Sequence, residues 1–290
     1  MQHPSIASPR HAGRRAFTLI ELAIVLVIIG LIVGGALVGR DLIAAAIVRS
    51  QITQINQMQL AARAFMLKYN AMPGDMKEAQ AFAEGFTAGA GCDGSPGYRD
   101  GDGLLDGGPP AGSHHLANPS AETGFFWTDL ASTNMITGGF PANGAAAPNC
   151  QSGSTPVITL TPGANYVGDY YPMGKISGGI FLYVYEQGGF NWYGLSAITG
   201  NDANGVIASN PGISVMQAFS IDSKLDDGLP QSGTVMANYL NNDANTPAQA
   251  PNNTTDDITT CYNSTTPSGV YSTGVDGGVH PNCALSFRFQ

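Results

Sequence analysis

The chain has 290 residues, with 12 basic and 21 acidic side chains for a net charge of −9, and charged residues make up only 11% of it. An acidic chain gains nothing from counterion release on DNA and is repelled by anionic lipid headgroups, so the composition argues against nucleic acid as a partner. Polarity carried by Gly, Asn, Ser and Thr rather than by charge suits an exported, loop-rich protein better than a cytosolic enzyme.

The first element in chain order is an apolar run. Gly13-Arg14-Arg15-Ala16 leads into Phe17-Thr18-Leu19-Ile20-Glu21, and after Glu21 no charge interrupts the chain until Arg40. Phe17–Gly39 comprises 23 residues, and as a helix of about 35 Å it spans a hydrocarbon core of about 30 Å. A secretory signal has a shorter core and a cut site at its far end, whereas here the positive charges precede the run. Arg10, Arg14 and Arg15 place the N-terminus on the cytoplasmic side. Gly30, Gly34, Gly35 and Gly39 fit either close helix packing or a stretch able to melt locally. Glu21 is the anomaly, because a carboxylate near bilayer depth costs roughly 2.5–3.5 kcal/mol and calls for a partner.

Beyond the run the helix is expected to continue to about Asn70, for a total length of roughly 80 Å. Val48, Ile52, Ile55, Ala62, Phe65 and Tyr69 recur at helical spacing, with Gln51, Gln54, Asn56, Gln57 and Arg63 elsewhere on the wheel, and Pro73-Gly74 ends it. Residues 71–156 are rich in Gly, Pro, Asp and Asn, with helices expected at Glu78–Phe86 and Thr123–Met135. In the second of these Phe125, Phe126, Trp127 and Leu130 are expected to bury against the long helix. Strands are expected at Val157–Leu160, Gly179–Glu186, Asn191–Ile198 and Ala284–Phe289, and a helix at Ser214–Leu225. In the last strand Leu285, Phe287 and Phe289 would face inward and Ser286 and Arg288 outward. The class is therefore α+β: a long N-terminal α-helix, membrane-spanning in its first half, packed on an antiparallel β-sheet head with long loops.

Residues 13–39 resemble the class III signal of type IV pilins and type II secretion pseudopilins, through the basic leader, the F-T-L-I-E run and the apolar helix. The resemblance covers about the first 55 residues, with Ala16 standing where those families usually carry Gly. It implies cleavage by a prepilin peptidase between Ala16 and Phe17, N-methylation of Phe17, and pairing of Glu21 with the Phe17 ammonium of a neighbouring copy. Loss of Arg10, Arg14 and Arg15 with the leader would take the charge from −9 to −12. The implied division is a leader at 1–16, a transmembrane or filament-core helix at 17–39, an amphipathic helix half at 40–72 and a periplasmic or extracellular head at 73–290. The implied partners are the peptidase, copies of itself or other pilins or pseudopilins, and an inner-membrane assembly platform. The chain would wait in the inner membrane, N-terminus cytoplasmic, before entering a filament. Its role is that of a type IV pilus-like subunit; the alternatives are a type II secretion pseudopilin and a minor pilin with an adhesive head. Tyr69–Asp75 and Ile221–Gly233 are similar to stretches of prepilin-type proteins of unassigned role.

Cys92, Cys150, Cys261 and Cys283 all follow the apolar run, and none forms a C-x-x-C pair. An even count in an oxidising compartment favours two disulfides. Of the three possible pairings, Cys92–Cys150 with Cys261–Cys283 closes two local loops, and the second pair resembles the C-terminal disulfide loop of many type IV pilins. Asp100-Gly-Asp102-Gly-Leu-Leu-Asp106 offers hard oxygen ligands for calcium, with Asp93 or Asn118 as further donors, although Leu104 breaks the EF-hand pattern. Asp226 and Asp227, near Asp222, form a second acidic turn that suits calcium less well. Asp residues that hydrogen-bond their own turn explain both stretches equally. His114-His115 and the distant His280 do not define a metal site. No G-x-S-x-G, H-E-x-x-H or phosphate loop is present, and no enzymatic role is expected.

Overall fold

The computed structural model describes residues 18–86, 99–107, 117, 121–140, 166–176, 179–201, 206–241 and 246–290. Its contacts divide the chain into two units, 1–45 and 46–290.

Helix α1 runs from Leu19 to Tyr69, close to the limits that periodicity and the Pro73-Gly74 breaker predict. Within the first unit it is lined by Leu, Ile, Val and Ala, and its most apolar window has a mean hydropathy of 2.9 with none of it buried. A Cβ added at Gly30, Gly34, Gly35 or Gly39 would meet no atom within 4 Å. No contact among the described residues explains those glycines.

In the second unit α1 contributes Val48, Ile55, Ala61, Ala62 and Phe65 to the core. Gln51 and Gln54, expected off the buried face, lie on it at 0% and 6% exposure. Gln51 Oε1 accepts from the backbone N–H of Lys175 at 2.6 Å and of Ile176 at 3.3 Å, and its Nε2 donates to Gln54 Oε1 at 3.0 Å. Gln54 Nε2 donates to the Met173 carbonyl at 2.9 Å. The two amides stitch α1 to a strip of backbone that is bridged to Phe181 at Met173 but is otherwise irregular, so burial of amides here satisfies groups that an apolar face would strand. The helix ends at Asn70, whose φ of 50° is the left-handed C-cap conformation. Gly74 is required two residues after Met72, because a Cβ there would sit 2.3 Å from the Glu122 carbonyl.

Four further helices follow: α2 (Glu78–Ala83), α3 (Glu122–Ser132), α4 (Tyr166–Tyr170) and α5 (Val215–Leu225). A capping box starts α5: Gln217 N donates to Ser214 Oγ while Gln217 Oε1 accepts from Ser214 N. The rings of Phe126 and Trp127 on α3 meet Tyr193 at 5.9 and 6.2 Å, so this helix covers the sheet. It is the following segment, Met135–Thr137, that lines a groove beside Gln57–Ala64 of α1.

The main sheet is antiparallel. Strands β1 (Ile180–Gln187) and β2 (Phe190–Asn201) form a hairpin, β3 (Ile207–Asn210) pairs with β2, and β10 (Leu285–Arg288) lies between β2 and β4 (Val235–Met236). Gly188 and Gly189, both at positive φ, make the two-residue turn whose twist matches its strands. Both faces of β1 are covered, as its continuous apolar run predicts. Ser286 corrects the expected alternation of β10. It is fully buried, accepting from the Tyr185 hydroxyl at 2.7 Å and donating to the Asn238 carbonyl at 3.1 Å. The face expected to be solvated is covered by a ribbon of β5 (Asn238–Tyr239) and β6 (Ala248–Gln249). Arg288 is only half-buried, lying over the Phe190 ring. A small sheet of β7 (Asn252–Asn253), β8 (Tyr262–Asn263) and β9 (Val270–Tyr271) completes the C-terminal region. The expected strand at 157–160 lies outside the described residues.

Replacing Gln51 with Ala would leave the Lys175 and Ile176 N–H groups without their acceptor. The head should lose roughly 2 kcal/mol, within the range for orphaned buried donors, measured by thermal unfolding of the purified protein in detergent.

Candidate functional site

At the start of α1, Thr18 and Glu21 close a capping box. Glu21 Oε2 accepts from the Thr18 N–H and from its hydroxyl, both at 2.8 Å, and Glu21 N donates back to Thr18 Oγ at 3.3 Å. The carboxylate that the sequence marks as lacking a partner thus has a local one. Leu19, Ile20 and Leu22 around it are exposed, Leu19 at 90%. Ala16 and Phe17, the expected cleavage pair, lie outside the described residues.

The second cluster is in the head. Arg99 and Asp129 form a bidentate ion pair at 2.9 and 2.7 Å with both side chains fully buried. Asp129 also accepts the Gly74 N–H at 2.8 Å, and the Arg99 guanidinium lies 4.8 Å over the Phe125 ring. From this anchor the chain winds between two buried carboxyls. Asp75 accepts from Gly101 N and Gly103 N, both at 2.6 Å. Glu122 accepts from Asp100 N at 3.2 Å and Asp106 N at 3.0 Å. Asx turns inside the loop run from Asp102 N to Asp100 and from Leu104 N to Asp102. Asn191 fixes the far end, accepting from Leu105 N at 2.9 Å and donating to the Gly103 carbonyl at 2.8 Å.

This winding brings one carboxylate oxygen each from Asp75, Asp100 and Asp102 within 4.8 Å of one another. The sequence reading grouped Asp106 with Asp100 and Asp102. The structure instead carries Leu105 into the core, turns Asp106 toward Glu122 and fills the place with Asp75 from the end of the long-helix segment. Three hard oxygen donors of this kind are what calcium takes. Their charges oppose one another. Burial is the main force pushing Asp75 up to about 7, with the Asp100 and Asp102 charges adding to it and the Gly103 and Gly101 N–H bonds opposing it. Glu122 is pushed well above the usual carboxylate range by burial and then by Asp75.

In the other acidic turn Asp222, Asp226 and Asp227 also converge within 4.8 Å. Asp222 is fully buried and accepts from the Tyr271 hydroxyl at 2.9 Å and Gly228 N at 3.2 Å. Burial pushes it to about 7. Asp226 accepts from Thr234 N and Val235 N, and Asp227 from Leu229 N and the Ser232 hydroxyl. Asp226 and Asp227 are committed to donors of their own turn, and Asp222 also holds the distant Tyr271 hydroxyl. Cys261 and Cys283 form the expected disulfide, with Cα atoms 4.9 Å apart. It joins the start of β8 to the residue that bridges Ile213 just ahead of β10. His280 pairs with Asp276 at 3.1 Å on the surface. Cys92, Cys150, Asp93, Asn118, His114 and His115 lie outside the described residues.

Residues 11–37 match a protein-family model described as the prokaryotic N-terminal methylation motif. The chain carries a prepilin-type methylation signal. The match takes in Thr18, Glu21 and most of the apolar half of α1. Comparison with curated proteins and with solved structures returns no match. The head must therefore be read from its own residues. Sequence reasoning missed Asp75, Glu122 and the Arg99–Asp129 pair. The one local sign was a lone Arg beside an acidic loop, since a cation there is spared the solvent only when a carboxylate meets it.

A carboxyl that binds its proton more tightly when folded adds stability at low pH and loses it as pH rises from the unfolded value toward the folded one. For Asp75 and Asp222 that window runs from 3.8 to about 7. In chelator, the melting temperature should rise as pH falls from about 8 to about 5. Asp75→Asn should reduce this slope and raise the melting temperature at the alkaline end. Millimolar calcium should also flatten the slope if it takes the protons' place between Asp75, Asp100 and Asp102.

Proposed function

We propose that the chain is the structural subunit of a type IV pilus-like filament, assembled through its N-terminal helix. The observation that carries this reading is the methylation signal at 11–37 set on a helix whose apolar first part, up to residue 39, is unburied and bears one carboxylate, Glu21. A prepilin peptidase cuts between Ala16 and Phe17 and methylates the new N-terminus. Residues 17–39 hold the subunit in the inner membrane, with the head from 73 onward outside, and residues 40–72 join the two. On assembly the apolar helices exchange lipid for one another. Methylated amine stays protonated, so Glu21 of one copy attracts the Phe17 ammonium of the next. The partners are copies of this chain or of other pilins, and an inner-membrane assembly platform. Head chemistry supports a structural role: its buried carboxyls hold loop backbone, and the Asp75–Asp100–Asp102 group is the calcium candidate.

The same features serve a type II secretion pseudopilin or a minor pilin with an adhesive head, and location separates the three. Mass spectrometry of filaments sheared from cells should find a peptide beginning at methylated Phe17 as an abundant component. A trace amount there would mark a minor pilin. The processed form confined to the envelope would mark a pseudopilin. An uncut Ala16–Phe17 bond in every fraction would overturn the filament reading.

A further inference from the structure

The pattern Asn-x-Ser/Thr, with x other than Pro, occurs at three asparagines of the chain, Asn252, Asn253 and Asn263, all in its C-terminal region. The small sheet of β7, β8 and β9 sorts them. Its registers pair Asn263 with both Asn253 and Val270, and Tyr262 with both Asn252 and Tyr271. Residues in register share a face, and the next row takes the other. Tyr262 and Tyr271 are buried, so their row faces inward. Val270 is 53% exposed, so the row it shares with Asn253 and Asn263 faces solvent. Asn252 is held in place as well, because its Nδ2 donates to the Ala250 carbonyl at 3.1 Å.

Asn253 lies on an edge strand and is exposed, as are Thr254 and Thr255 after it, whereas Asn263 lies on the middle strand and is half-buried. Asn253 Oδ1 accepts from the Thr254 N–H at 2.7 Å, which holds the amide by its oxygen. Among the described residues its Nδ2 and the Thr255 hydroxyl make no hydrogen bond. The nitrogen that would react and the hydroxyl that completes the pattern are both open to an enzyme.

We propose that Asn253 is the acceptor of an N-linked glycan, the modification whose acceptor pattern is Asn-x-Thr on the surface of an exported protein. The donor is a glycan carried on a polyprenyl diphosphate. Asn253 Nδ2 gives up one proton and bonds to the anomeric carbon, the sugar–phosphate bond breaks, and the polyprenyl diphosphate leaves with that proton. The proposal rests on the reading above, which anchors the chain in the inner membrane with its head outside, within reach of a lipid-borne donor. The glycan would lie on the face that exposes Val270 and would hydrate a head with few charges of its own.

The protein is purified from the cells that make it, and peptides covering 246–269 are sequenced by mass spectrometry that keeps a sugar on its residue. Wild type should carry a glycan on Asn253. Asn253→Gln and Thr255→Ala should each lose it, the second with the asparagine still in place. Thr255→Ser, Thr254→Ala and Asn263→Gln should keep it, since each leaves the pattern at Asn253 intact. An intact Cys261–Cys283 disulfide in each variant reports that the region has folded. A bare Asn253 in wild type, or a sugar on Asn263 or on a threonine hydroxyl in its place, overturns the proposal. The N-terminal peptide of the same sample separates the two readings. A chain that begins at Phe17 with Asn253 bare overturns the glycan alone. A chain uncut before Phe17 with a glycan on Asn253 overturns the filament alone, and an uncut, bare chain overturns both.

Discussion

From Leu19 to Ile43 the long helix exposes apolar side chains that nothing among the described residues covers. At about 25 cal/mol per Å2 of apolar surface, water is the one environment this segment must avoid. Lipid or other helices have to surround it, and either choice makes Glu21 a liability unless donors accompany it. The Thr18 box supplies two of those donors locally, and the ammonium of a processed neighbour would supply the countercharge. The unburied stretch, the carboxylate near its start and the methylation signal that overlaps both are parts of one constraint. Under the proposed filament role, such a subunit would be stored in one apolar medium and moved into another.

The head solves a different problem. With few charged residues and much Gly, Pro and Asn, it holds long irregular stretches of backbone that no ladder satisfies. The side chains that do this are amides and carboxyls, most of them buried. Gln51 and Gln54 hold the strip at 173–176, Asp75 and Glu122 hold the loop at 100–106, and Asp222 and Asp226 hold the turn at 228–235. Asp75, Glu122 and Asp222 meet N–H or O–H dipoles instead of cations, and burial then favours their protonated forms. Arg99 and Asp129 are the exception, and their ion pair is fully enclosed beside the loop it anchors. The Cys261–Cys283 bond closes the C-terminal region on the sheet, worth roughly 3 kcal/mol for a loop of this length.

Features with a local period or a local breaker were legible from sequence. The long helix, β1, α5 and the C-terminal strand fall where spacing and breakers put them, because each depends on neighbours within a few residues. Features that depend on a distant partner were not. Ser286 looks like a solvated strand position until β5 covers it, and Gln51 looks like helix surface until the strip at 173–176 arrives. The acidic loop was recognisable as a place for oxygen ligands, but Asp75 comes from 25 residues before Asp100 and reaches it through the turn at Gly74. At the N-terminus the signal residues are local, which explains why they could be read directly, and the Thr18–Glu21 spacing is itself a capping-box pattern.

The most direct test is the structure of the assembled filament by electron cryomicroscopy, at a resolution that shows the first turn of each helix. The account predicts a chain that begins at Phe17, with its N-terminal nitrogen within about 4 Å of a Glu21 carboxylate from another copy, the limit for an ion pair. A chain that begins upstream of Phe17, or a Glu21 carboxylate with no N-terminal nitrogen near it, would contradict it.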